Sequence, residues 1–198
     1  MTSNGTQYNN QVEMGIQNGN QVNLDSLIRN VKAEDAKNLR ISKSFLWVYI
    51  ILAIIYAGLM VLNPDSDIKL IDRISGAFYL VSMVVFAYMF KAGLKEYQSI
   101  DYTLPLIEML RGVAKRYQLR ARKFILLSIP IILMDVGLTL SFYEDLLPME
   151  PINRVLIIQV FYIPVMTISG FIGYLVWRKK QKPLRDNALL LIEELEKE

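Results

Sequence analysis

Apolar positions along the chain gather into four long blocks separated by charged or polar stretches. Ser44–Pro64 runs 21 residues without a charged side chain, Ile74–Phe90 runs 17, Val155–Trp177 runs 23, and Phe124–Tyr143 runs 20 with Asp135 as its one charge. As helices, blocks of this length match the roughly 30 Å hydrocarbon layer of a bilayer. The pattern predicts transmembrane helices over 44–64, 74–91, 124–143 and 155–177, with outer loops at 65–73 and 144–154. The fold class that follows is an all-α, multi-pass membrane protein.

Between the blocks the period changes to that of amphipathic helices. Asn23 can cap a helix over 24–43 in which Leu24, Leu27, Ile28 and Val31 share a face, with Arg29, Lys32, Glu34 and Asp35 elsewhere on its surface. In the hairpin 92–123, Leu94, Tyr97 and Asp101 extend the second span until Thr103-Leu104-Pro105 stops it and starts a second helix. There Ile107, Leu110, Ala114 and Tyr117 form a stripe, while Glu108, Arg111, Lys115 and Arg116 lie largely off it. If uninterrupted to Phe142, that helix is about 57 Å long and projects beyond the bilayer. In the tail, 178–198, Pro183 opens a helix with Leu184, Ala188, Leu191, Ile192 and Leu195 on one face and Glu193, Glu194, Glu196 and Glu198 in water. Four such stripes on one side of the membrane are expected to pack on one another as a cytoplasmic helical bundle that continues the spans.

Charge sets the orientation. The segments before the first span, between the second and third, and after the fourth hold five, eight and six of the 22 Lys and Arg residues; the outer loops hold two and one. Basic segments are retained on the cytoplasmic side, so both termini are expected there, in a bacterial inner (plasma) membrane. The first apolar run begins about 45 residues in, which is not the placement of a cleaved signal peptide. Residues 1–23 hold ten Asn or Gln and few apolar side chains, which predicts a disordered tail, read either as an inert leader or as a tether.

The chain has no Cys and no His. That removes thiolate chemistry, thiolate zinc and iron–sulfur sites and any Ser-His-Asp arrangement. The remaining carboxylates show no catalytic spacing, and no Gly-rich phosphate loop is present. The expectation is a non-enzyme without catalytic residues, metal or cofactor. The net charge of +3 does not argue for nucleic acid, because its distribution points to lipid. Lys115, Arg116, Arg120, Arg122, Lys123, Arg178, Lys179, Lys180 and Lys182 adjoin span ends, where anionic lipid is worth about 1 kcal/mol per basic residue. They read as topology anchors facing the lipid. The aromatics Trp47, Tyr49, Tyr88, Tyr143, Tyr174 and Trp177 sit near span ends, as interfacial belts do.

Asp135 is the one charge inside a span, at a cost of roughly 2.5–3.5 kcal/mol, and it requires protonation or a partner. Counting from the outer ends of the third and fourth spans puts Tyr162 and Gln159 at matching depth; Tyr56 on the first span is a further donor. The group is either a polar clamp between spans, a proton or cation site, or a wet residue near the outer interface. Ser169 and Gly173 form a small-xxx-small pair that permits close helix approach, and Pro164 and Pro130 make the last two spans the less regular half.

The layout of an amphipathic N-terminal helix, four spans with both ends inside and a long basic hairpin resembles uncharacterised small four-span bacterial inner-membrane proteins, from about Leu24 onward. The resemblance is one of architecture and implies action alongside membrane-proximal regulators. Two functions follow as expectations. One is a cytoplasm-facing scaffold, assembly or regulatory protein that meets a soluble partner through 184–198 or 104–117. The other is an oligomeric small transporter or channel component that uses Asp135.

Overall fold

The computed structural model describes residues 23–62, 69–119, 121–143, 146 and 149–197. The predicted tail before Asn23, residues 63–68 around the first outer loop and most of 144–148 lie outside the described residues. The described chain is helical: α1 Leu24–Leu62, α2 Leu70–Gln98, α3 Leu106–Arg116, α4 Ala121–Tyr143, α5 Pro151–Val176 and α6 Lys182–Leu195. A π-helical turn, Trp177–Gln181, joins α5 to α6 without a break. Four helical stretches, Leu24–Met60, Leu70–Gln98, Phe124–Tyr143 and Pro151–Leu195, are long and apolar enough to cross a membrane. At that level the protein is an integral membrane protein of the multi-pass, all-α class.

Contacts divide the chain into two units. The first comprises residues up to Lys37, Asp101–Gln118 and Val176 onward. Its opening helix starts where the sequence places the cap: Asn23 Oδ1 accepts the Ser26 N–H at 3.2 Å, and Ser26 Oγ donates to the Asn23 carbonyl at 2.7 Å. Before α3, Asp101 Oδ1 accepts both the N–H and the hydroxyl of Thr103, at 2.8 and 2.6 Å. This local turn ends the chain's run from α2 and delivers Pro105 to the N-cap of α3, whose carbonyl takes the Met109 N–H at 3.0 Å.

The core of this unit is Leu27 and Val31 from α1, Met109, Leu110, Val113 and Tyr117 from α3 and its end, and Leu184, Ala188 and Ile192 from α6. Leu110, Val113 and Ala188 are wholly enclosed. Each fully buried Leu or Val contributes about 1.5–3 kcal/mol relative to exposure, which is what holds three short amphipathic segments together. The tail stripe lies as the spacing predicts. The α3 stripe is turned from the predicted one: Met109 and Val113 are buried, while Ile107 and Ala114 are half-buried.

Two further expectations are corrected. The long helix is interrupted: α3 closes at Arg116, with Tyr117 as its C-cap, and helix resumes at Ala121. Tyr117 is held on both sides there, because its carbonyl accepts the Trp177 indole N–H at 2.9 Å while its hydroxyl is engaged elsewhere in the core. Glu34 and Asp35 are also not on the wet surface of α1 but buried, 6% and 3% exposed.

The second unit comprises Asn38–Ile100 and Leu119–Leu175. Here most large apolar side chains face outward, Phe161 at 72% and Val160 at 65% exposure among them, the inverse of a water-soluble core. The buried positions are mostly small or polar, Ser42, Ser75, Gly76, Ser82 and Gly137 among them, with Met83, Pro130 and Ile158. Phe45 and Tyr49 of α1 stack on Phe86 and Phe90 of α2, with ring centroids 4.8 to 5.6 Å apart. Between α2 and α4, fully buried Ser82 donates to the Pro130 carbonyl at 2.8 Å. Gly137 lies so close to α2 that a methyl there would stand 3.0 Å from the Tyr79 ring and 3.2 Å from the Ser75 carbonyl. At the α4–α5 hairpin, Arg154 donates to the Met149 carbonyl at 2.7 Å and lies over the Tyr143 ring.

Candidate functional site

Each unit holds a carboxylate against donors from another segment, buried Asp35 in the first and half-buried Asp135 in the second, and the two are met in different ways. In the first unit Asp35 is the acceptor of a complete set of donors. Tyr117 Oη donates to Oδ1 at 2.7 Å; Tyr102 Oη and Arg116 Nη2 donate to Oδ2 at 2.8 and 3.0 Å. The ion pair is enclosed, with side-chain exposures of 13% for Arg116 and 3% for Asp35. One buried donor, Arg116 Nε, has no hydrogen-bond partner. Burial and the Asp35 carboxylate both push the Tyr102 hydroxyl well above its ordinary ionisation range, with Arg116 opposing, so Tyr102 stays a donor at any physiological pH.

This constellation ties α1 to both ends of α3, and it corrects the reading of Arg116 as a lipid-facing anchor, since its guanidinium is turned into the core. The spacing did contain a signal for it. Leu27, Val31 and Asp35 recur every four residues, which places the carboxylate on the apolar stripe itself.

The other basic positions divide. Lys115, Arg178, Lys179 and Lys180 are exposed and Lys182 is half-buried. Arg120 and the side chains of Arg122 and Lys123 lie outside the described residues. The neighbouring Lys37 ammonium, together with burial, lowers the Lys180 ionisation range, with Glu34 partly offsetting them.

In the second unit Asp135 is met by a neutral group. Gln159 Nε2 donates to Asp135 Oδ1 at 2.8 Å and to Thr139 Oγ1, one turn along α4, at 3.4 Å. Of the two donors that depth matching offers and the further one on the first span, Gln159 is thus the one in place. Tyr162 donates instead to the Ile131 carbonyl at 2.6 Å, one turn before Asp135, and Tyr56 stands edge-on to Tyr79 at 5.7 Å. A polar seam continues between α2 and α4, where Tyr79 Oη donates to Ser141 Oγ at 3.4 Å and Ser141 Oγ to Ser75 Oγ at 3.0 Å.

Ser169 and Gly173 do not pack against another helix of this chain. Both are exposed, the Ser169 hydroxyl donates back to the Val165 carbonyl, and a methyl at Gly173 would meet nothing within 4 Å. Among the described residues no group of three or more acidic side chains could hold a metal ion.

No protein-family model, no curated protein and no solved structure matches the chain. What the chain does is therefore argued from its own residues.

Proposed function

We propose that the protein is a non-enzymatic, multi-pass protein of the bacterial inner membrane, with both termini in the cytoplasm. Its first unit is a cytoplasm-facing surface that scaffolds, assembles or regulates a soluble partner. The observation that carries this reading is the division of labour within α6. Leu184, Ala188 and Ile192 are spent on the core, yet Leu189 and Leu190 remain 48% and 51% exposed beside exposed Glu193 and Glu194. An apolar pair bordered by carboxylates suits a partner that is apolar and basic. The basic bias of residues 24–43, 91–123 and 178–198 supports the orientation.

A truncation at Pro183 would remove core residues along with the surface, so the test substitutes the surface alone. Cross-linking in intact membranes with C-terminally tagged wild type is expected to recover a soluble protein that Leu189→Glu/Leu190→Glu loses. Recovery of nothing but other copies of the chain, unchanged by the substitutions, refutes the scaffold reading. The second reading, an oligomeric transporter or channel component, is favoured by the charge at Asp135. It predicts that Asp135→Asn abolishes flux through proteoliposomes, whereas in the scaffold reading partner recovery survives that substitution.

A further inference from the structure

The environment of Asp135 leads beyond the scaffold reading. The residue is the twelfth of the twenty in Phe124–Tyr143, and no Lys, Arg or His occurs in any of the four apolar blocks. Among the described residues, the titratable group electrostatically coupled to it is Tyr162 on α5, which is coupled in turn to Tyr79 on α2. Among the described residues no cationic side chain pairs with it. The described donor is one carboxamide on Oδ1, and among the described residues no donor reaches Oδ2. A single neutral hydrogen bond does not offset a carboxylate's desolvation in a low-dielectric span, as the ion pair does at Asp35.

The nature of that one partner is informative. A glutamine carries a donor and an acceptor at nearly the same place, and a half-turn of its amide exchanges them. With Nε2 turned to Asp135, as here, it serves the bare carboxylate. With Oε1 turned in, it accepts from a protonated carboxyl or joins Thr139 Oγ1 and the carboxylate as oxygen ligands. One carboxylate with neutral oxygens matches a single positive charge rather than a divalent ion.

We propose that Asp135, Gln159 and Thr139 form an exchange site for one monovalent cation, a proton or an alkali-metal ion, within the membrane-spanning unit. Release of the ion returns the Gln159 amide to the orientation seen in this structure.

The test uses dicyclohexylcarbodiimide, an apolar reagent that modifies protonated carboxyl groups within membranes. The full chain in lipid nanodiscs is labelled over a range of pH, in choline chloride and in sodium chloride, and modification of Asp135 is read by peptide mass spectrometry with Asp135→Asn as the blank. Labelling that falls several-fold as pH rises, in both salts alike, assigns the site to the proton. Labelling that sodium suppresses several-fold at fixed pH, relative to choline, assigns it to the alkali ion. Either result supports exchange, and Thr139→Val is then expected to weaken sodium protection while keeping the charge. Labelling that is independent of pH and sodium, or absent throughout, means that the carboxyl is locked in one state as a clamp, and overturns the proposal.

Discussion

Asp35 draws three side chains, Tyr102, Arg116 and Tyr117, into one network, so its removal should be felt beyond its own contacts. Asp35→Ala leaves the Arg116 guanidinium enclosed with no counter-charge and two tyrosine hydroxyls with no acceptor. By analogy with other broken buried pairs the cost is about 3–5 kcal/mol. The expected outcome is loss of the first unit's cooperative unfolding, followed by the fluorescence of Trp177 in a Trp47→Phe background. Tyr117→Phe removes one hydrogen bond to a charged group and should cost about 1.5–3 kcal/mol. The sign of the pH dependence follows from Tyr102. Its ionisation range is raised in the folded unit above the ordinary value of 10.0, so its contribution is complete below that pH and is lost as alkali ionises the unfolded chain first. Wild type should therefore lose stability more steeply than Tyr102→Phe in a titration above about pH 10. None of this was visible while Glu34 and Asp35 were assigned to water on charge alone. Period places Asp35 on the stripe, but period alone does not say which donors will meet it, because Tyr102, Arg116 and Tyr117 lie 67, 81 and 82 residues further on.

Among the elements, glycine separates the packed from the unpacked helix faces. Gly137→Ala forces a methyl against the Tyr79 ring and the Ser75 carbonyl at 3.0 and 3.2 Å. Overpacking of this kind costs about 1–3 kcal/mol. Gly173→Ala meets open space, and the helix preference for alanine should make it neutral or stabilising by up to about 1 kcal/mol. Thermal unfolding of the two variants in the same lipid should move the transition in opposite directions or leave only Gly173→Ala unmoved. The sequence showed both glycines, and its attention went to Ser169 and Gly173 because their spacing is a known helix-packing pattern. Within this chain it is Gly137, which has the same small-residue spacing with Ser141, that lets α4 approach α2. The four apolar blocks and the tail stripe were legible because long periodic segments dominate local choice. The stop at Tyr117 was not, because it is set by two long-range hydrogen bonds rather than by a proline or glycine.

For the molecule as a whole, the absence of cysteine makes orientation directly measurable. With Glu194→Cys as the only thiol, an impermeant maleimide should label the protein only after the cell membrane is opened, whereas Ser66→Cys should label in intact cells. The reverse pattern would invert the orientation and the partner reading with it. A final consequence concerns how the chain is made. The first unit draws its core from three stretches that leave the ribosome in turn, at residues 27–31, 109–117 and 184–192. Leu27 and Val31 emerge first, but Leu184, Ala188 and Ile192 follow only after the four apolar blocks between 44 and 177 have been translated. Insertion therefore precedes closure. Until residues 184–192 appear, the nascent protein carries Leu27, Val31 and the apolar face of α3 without the cover of α6, and a chaperone or a premature partner would find its opening in that interval.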